Sequence, residues 1–243
     1  MKKINVKGPI IPSNHQWIYD WLDMEATSPK KIQSALEDAN GEDVEVHINS
    51  GGGSVFDGSE IYTALKDYSG NTTGKIVGLA GSAASVIAMA VNNLMMSPTA
   101  QIMIHNAATM AGGDYRDMEH TAGILKNVNK TVANSYMAKS GMNETDLLDM
   151  MDKETWLTPQ QAMEYKLIDE IMFEQDYQFV ASVDHSGLLP QQVIDKLRNE
   201  VLKDPKPNNQ VTQSSNDDGE SEEDFYMHNL RKKKLELLNK EVI

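Results

Sequence analysis

The spacing of hydrophobic positions changes several times along this chain, and each change marks an element. Val44-Glu45-Val46-His47-Ile48-Asn49 alternates apolar and polar residues, the period-two signature of a strand. Ser50-Gly51-Gly52-Gly53-Ser54 breaks that run, and Val55–Asp67 follows as a helix with Val55, Ile61, Ala64 and Leu65 near one face. Lys75–Ala80 is short and apolar enough for a buried strand, Gly81-Ser82 turns the chain, and Ala83–Asn92 reads as a strongly apolar helix. Ile102-Met103-Ile104-His105 is a third strand. Strand, glycine turn and helix, repeated, form a βαβ rhythm that implies parallel strands joined by right-handed crossovers. Ligands in such sheets sit beyond the carboxyl ends of the strands, where both glycine turns fall.

The flanking segments extend this α/β pattern. Residues 1–14 read as an extended N-terminal arm, with Pro12 near its end. Helix potential covers Tyr19–Ala39, with Ser28 and Pro29 marking a start at cap and first-turn positions. Met118, Ala122, Leu125, Val128, Val132 and Tyr136 recur every three or four residues and predict a long helix over roughly Tyr115–Lys139, stopped by Gly141. Asn143 caps a short helix over Glu144–Met151, and Thr158-Pro159-Gln160-Gln161 supplies a cap, a first-turn proline and a reciprocal capping glutamine. Leu167–Met172 returns as a strand. After Lys203 the composition shifts to Asn, Gln, Ser, Asp and Glu, which predicts a disordered acidic linker over 203–224 and a helical tail over 225–243. The central domain then spans 15–202.

Composition removes several function classes. A net charge of −14 argues against a general affinity for nucleic acid, which needs Lys and Arg to displace phosphate counterions. The absence of cysteine excludes disulfides, thiolate metal sites and a cysteine nucleophile. No apolar run approaches the roughly 20 residues of a membrane span. The first nine residues are basic without an apolar core, a poor signal peptide. The expectation is a cytoplasmic protein with no membrane partner, no metal and no cofactor.

Four features carry candidate chemistry. Gly51-Gly52-Gly53 follows a strand, where glycine lets backbone N–H groups approach a ligand, although taken alone a plain flexible turn is the better explanation. It lacks the Lys-Ser/Thr ending of a phosphate loop and the spacing of a dinucleotide fingerprint. Gly81-Ser82-Ala83-Ala84-Ser85-Val86 joins a buried strand to an apolar helix. Ser82 is the better candidate for a helix cap. Ser85 lies inside the helix, where serine adds no propensity, and so calls for another explanation. His105 ends a strand beside both glycine turns, whereas the other five histidines suit surface or structural roles. Asp152 and Glu154 flank Lys153 on a turn and matter chemically only if one of them orients His105.

Taken in order, Ile48-Asn49-Ser50-Gly51-Gly52-Gly53, Gly81-Ser82-Ala83-Ala84-Ser85, Met103-Ile104-His105 and Trp156–Tyr165 with Leu167-Ile168-Asp169 resemble the Clp protease proteolytic subunit (ClpP) family. The resemblance covers roughly residues 15–175. It implies a ClpP/crotonase-like fold, a repeated β-β-α superhelix with a protruding handle helix, and a serine endopeptidase. It places the nucleophile at Ser85, the base at His105 and the acid at Glu154, with Asp152 in reserve, and the oxyanion amides at Gly53 and Val86. It also implies heptameric rings, stacked into a tetradecamer, that enclose the active sites, act on polypeptide substrates and can depend on a separate ATPase unfoldase. Gly51 stands where the family has proline, Glu154 where it has Asp, and the proline-containing stretch after the histidine is missing. With the acidic tail, these departures resemble phage-type head-maturation variants that process capsid precursors. The alternative is a catalytically idle structural subunit or scaffold. A crotonase-type enzyme would leave Ser85 and His105 as coincidences, and no lysine stands out for a serine–lysine peptidase.

Overall fold

A computed structural model describes residues 1–173 and, beyond them, Lys232 alone. The expected linker over 203–224, the tail over 225–243 apart from Lys232, and the end of the 15–202 domain lie outside the described residues. Residues 1–173 fall within one compact unit. Its elements in chain order are β1 (Lys2–Lys7), a 3-10 turn (Ser13–His15), α1 (Gln16–Trp21), α2 (Pro29–Ala39), β2 (Val44–Ser50), α3 (Val55–Asp67), β3 (Thr72–Gly81), α4 (Ala83–Ala88), β4 (Asn93–Met96), β5 (Gln101–Ile104), α5 (Tyr115–Ser140), α6 (Glu144–Asp152), β6 (Thr155–Leu157), α7 (Pro159–Glu164) and β7 (Glu170–Ile171).

The strands form one seven-stranded sheet in the order β1-β2-β3-β4-β7, with β5 paired to β3 and β6. All pairs are parallel except β5 with β6. The expected arm over 1–14 is corrected at its start. Lys2–Lys7 is an edge strand, because Ile4 and Val6 alternate into the core while Lys3 and Asn5 face solvent. The apolar run after Ser82 is also corrected. The helix stops at Ala88, and Asn93–Met96 becomes a strand beside the first half of β3. Asn92 makes that switch, its side-chain oxygen accepting from both the amide and the hydroxyl of Thr72.

One irregularity in β3 organises the sheet. Ile48 pairs with Ile76, but Ser50 pairs with Ala80, so β3 carries extra residues opposite Asn49. Asn49 Oδ1 fills the gap by accepting the amide of Leu79 at 3.1 Å. A Cβ on Gly78 would lie 2.5 Å from that oxygen, so a side chain there would displace the Asn49 amide from the bulge. Thr73–Ile76 therefore pairs with β4, while Leu79–Gly81 turns to pair with β5. The second half of β3 and all of β5 end together, side by side.

The core is aliphatic, with Ile48, Ile61, Ile76, Ile87, Leu94 and Ile102 fully buried between sheet and helices. Helix α5 begins with a capping box at Asp114 and ends at Gly141, which takes the left-handed conformation. Its 26 residues span about 39 Å. Only its last two turns contribute buried residues, Ala133, Ser135, Tyr136 and Ser140. Among the described residues no helix is long and apolar enough to cross a membrane.

Candidate active site

The parallel register of β3 and β5 decides which serine meets the histidine. Gly81 pairs with Met103, and the amide of Ser82, the next residue, donates to the Met103 carbonyl at 2.9 Å. Ser82 thus sits at the carboxyl end of β3 as His105 sits at the end of β5. His105 Nε2 and Ser82 Oγ are 2.8 Å apart. Ser82 holds φ 51° and ψ −123°, a conformation that costs a non-glycine residue roughly 1–3 kcal/mol and is typical of a sharp strand-to-helix corner. It occupies the cap position of α4, yet its hydroxyl makes no cap bond.

The expected pairing of Ser85 with His105 is corrected by this geometry. Ser85 lies one helical turn further on, with 0% of its surface exposed. Its hydroxyl donates to the Ser82 carbonyl at 2.6 Å and lies 2.7 Å from the Tyr136 hydroxyl. The physical reason is that Ala83–Val91 is buried on every face, so any side chain within α4 points into the core. A reactive hydroxyl needs the corner, not the helix.

The glycine turn is wedged against this corner. A Cβ on Gly52 would lie 2.7 Å from both the Gly81 carbonyl oxygen and Ser82 Cβ, and 2.9 Å from the Ala83 nitrogen. On the other side Ile10 donates to the Gly52 carbonyl and accepts from the Ser54 amide, both at 2.9 Å. Those two bonds leave the N–H and C=O of Gly53 facing away from Ile10. The Gly53 and Ala83 amides have no hydrogen-bond partner among the described residues. The Gly52 amide is taken by Ser50 Oγ at 3.1 Å. The expected oxyanion role of Val86 is corrected, because its amide donates to the Ser82 carbonyl at 3.2 Å.

The acidic candidates come close to the histidine without bonding it. β6 runs antiparallel to β5, with Ile104 opposite Thr155, so the next pair in that register is His105 with Glu154. Glu154 breaks from the strand with φ 48°, and its carboxylate accepts from the Trp156 indole at 3.3 Å. Asp152 accepts from the side-chain amide of Asn106, the neighbour of His105, at 2.6 Å. Among the described residues neither carboxylate lies within hydrogen-bond reach of the His105 ring.

A model of the Clp protease family matches residues 25–175. The chain belongs to the Clp protease family. It is similar to the ATP-dependent Clp protease proteolytic subunit of Bacteroides fragilis, 32% identical over 136 residues that cover 55% of this chain and 66% of that one. It is also similar to the corresponding subunit of Deinococcus radiodurans, 29% identical over 133 residues that cover 54% of this chain and 65% of the relative. The matched region thus spans just under two thirds of the length of these curated relatives. Its α/β architecture, a mostly parallel sheet with helices, is consistent with the Clp protease fold.

From the residues alone Ser82 has only a helix-cap role and Ala83 none. The signal that finds them is position. Ser82 is the last polar residue before a run with no polar side chain other than Ser85 up to Asn92, so it alone can stand at the corner.

Proposed function

We propose that this Clp protease family member is a serine endopeptidase with Ser82 as nucleophile and His105 as general base. The single observation that carries the reading is the 2.8 Å contact between Ser82 Oγ and His105 Nε2 at a partly exposed strand-to-helix corner. His105 Nε2 takes the hydroxyl proton as Ser82 Oγ attacks the peptide carbonyl carbon. The carbonyl oxygen becomes the oxyanion, and His105 then passes the proton to the leaving amine. Water hydrolyses the acyl-serine by the reverse sequence. The Gly53 and Ala83 amides are the available oxyanion donors, each worth about 3 kcal/mol of transition-state stabilisation. Glu154 is the acid that orients the imidazole. Its place opposite His105 in the β5–β6 register supports it, and the reading requires its carboxylate to leave the Trp156 indole and accept from Nδ1. Asp152, bonded to Asn106, stays a support for the strand end.

The substrate class is polypeptide, and the outward-facing N–H and C=O of Gly53 suit an extended chain added as a strand. Self-association is supported by the long exposed part of α5, where Tyr115, Met118 and Ile124 face solvent. Heptameric rings, a stacked tetradecamer, a cytoplasmic setting and a separate ATPase partner follow from the family resemblance and from relatives named as ATP-dependent subunits. Capsid precursors are the narrower substrate proposal, carried by the resemblance to phage-type variants. A catalytically idle subunit is favoured by one observation, the absence of a carboxylate on the His105 ring.

An active-serine fluorophosphonate separates these readings. The endopeptidase reading expects covalent labelling of the assembled protein, lost by at least about 10³-fold in Ser82→Ala and slowed far less in Ser85→Ala. Labelling lost in Ser85→Ala but kept in Ser82→Ala overturns the assignment. No labelling of the assembled protein establishes the idle subunit.

A further inference from the structure

Two buried hydroxyls stand behind the corner without touching the reacting atoms. Ser85 is fully buried, and Tyr136, from the buried end of α5, is 1% exposed. Ser85 carries a single proton, and the Ser82 carbonyl at 2.6 Å can only accept, so that proton is committed there. The Tyr136 hydroxyl at 2.7 Å must therefore donate to Ser85 Oγ. The order is fixed: Tyr136 O–H to Ser85 Oγ, then Ser85 O–H to Ser82 C=O. Burial pushes the Tyr136 phenol well above its usual range, so it remains a donor at any working pH.

The accepting carbonyl is no ordinary helix carbonyl. It also accepts the amides of Ser85 at 2.9 Å and Val86 at 3.2 Å, giving three donors on one oxygen. The direction of that C=O is set by ψ of Ser82, which stands at −123° in a sparsely populated region. A rotation of ψ would swing the Ser82 carbonyl off its donors and the residue off the line to His105.

We infer that Ser85 and Tyr136 are positioning residues that hold the strained backbone of Ser82 in register with His105, linking α5 to the nucleophile through two hydroxyl hydrogen bonds. This inference rests on the endopeptidase reading of Ser82. It assigns Ser85 a share in catalysis, as the brace of the nucleophile instead of the nucleophile itself.

The test uses the full-length assembled protein and two readouts, the rate of fluorophosphonate labelling and the thermal unfolding midpoint. S85A removes the brace and leaves the Tyr136 hydroxyl buried without an acceptor, so labelling slows about tenfold and the midpoint falls by about 5 °C. Y136F keeps the Ser85–Ser82 bond and slows labelling about two- to threefold. In S85A/Y136F both buried hydroxyls are gone, and the midpoint recovers towards wild type because no polar group is stranded. The labelling rate stays about tenfold down. That split between recovered stability and unrecovered rate is the signature of positioning. If S85A does not fold, comparison of S85A/Y136F with Y136F carries the same test. A double variant that labels at the wild-type rate overturns the inference, as does one that does not fold, since the pair would then hold the fold and not the corner. S82A tells the two failures apart. Labelling that vanishes in S82A keeps the endopeptidase reading whatever the double variant does.

Discussion

The corner where β3 turns into α4 and the segment joining α6 to β6 approach the same histidine, but they are held in different ways. At the corner the backbone of Ser82 is held by backbone atoms and by the buried Ser85 hydroxyl. Gly52 presses from one side, the Met103 carbonyl takes its amide, and three donors fix its carbonyl. Along the other segment Asp152 and Glu154 are both exposed and are tied by one side-chain contact each, to Asn106 and Trp156. The proposed nucleophile and base are thus preorganised by the sheet register. The proposed acid is held by side-chain contacts alone. A preorganised dipole or hydrogen bond costs nothing at the moment of reaction, whereas a mobile one must be ordered first.

The largest expected effect comes from the looser side. Glu154→Gln removes the charge that stabilises the imidazolium and is expected to lower kcat by about 10²–10⁴-fold with little change in stability. Asp152→Asn is expected to cost only a few-fold, because its bond is to Asn106. Steady-state kinetics on a peptide substrate, with unfolding midpoints as control, reads both. The reverse order would hand the acid role to Asp152 and break the comparison as drawn. A smaller but more structural effect is expected at the rigid side. Gly52→Ala places a methyl 2.7 Å from backbone and side-chain atoms of the corner, at φ 99° where a side chain is strained. The expected loss is about 2–4 kcal/mol of stability, seen as a lower urea midpoint at unchanged slope. A neutral Gly52→Ala would show that the corner yields, and that the contrast between the two regions is overstated.

The same contrast explains what could be read from residues alone. Helix α3, the glycine stop of α5 and the caps of α6 and α7 rest on local signals, periodicity, capping residues and a glycine stop, and they stand where those signals put them. Strand β4 was hidden because Ala83–Met96 is nearly continuous in hydropathy, and a short apolar run does not separate strand from helix. Strand β1 carries only two alternating apolar residues, Ile4 and Val6, too short a run to mark a paired strand without its neighbour β2. The two-serine question turned on burial. Ser82 and Ser85 differ by one helical turn, and only the register of β3 against β5, set by the bulge at Asn49, shows which of them faces His105. That bulge depends on pairing between segments 30 residues apart and leaves no local pattern.

The smallest expected effect guards the comparison against a confounder, because acid conditions alter stability as well as catalysis. On β2, away from both regions, Glu45 lies against the ammonium of Lys75 at 2.5 Å and against the His47 ring. The hydrogen bond from Lys75, with a further contribution from His47, holds the Glu45 carboxyl below its usual value of 4.5. A carboxyl whose pKa is lower in the folded state binds protons more readily when unfolded. Its stabilisation is therefore complete above the unfolded value and fades as pH falls through the folded one. Glu45→Gln should be less stable than the parent at neutral pH by under about 1 kcal/mol, since the cluster is only partly shielded from solvent. The two unfolding midpoints should converge as pH drops below 4.5. Because Glu45 is remote from Ser82, its substitution should leave the pH dependence of labelling unchanged. A labelling profile that moves with Glu45→Gln would mean that labelling at low pH reports sheet stability, and labelling could then not be used to compare the two regions under acid conditions.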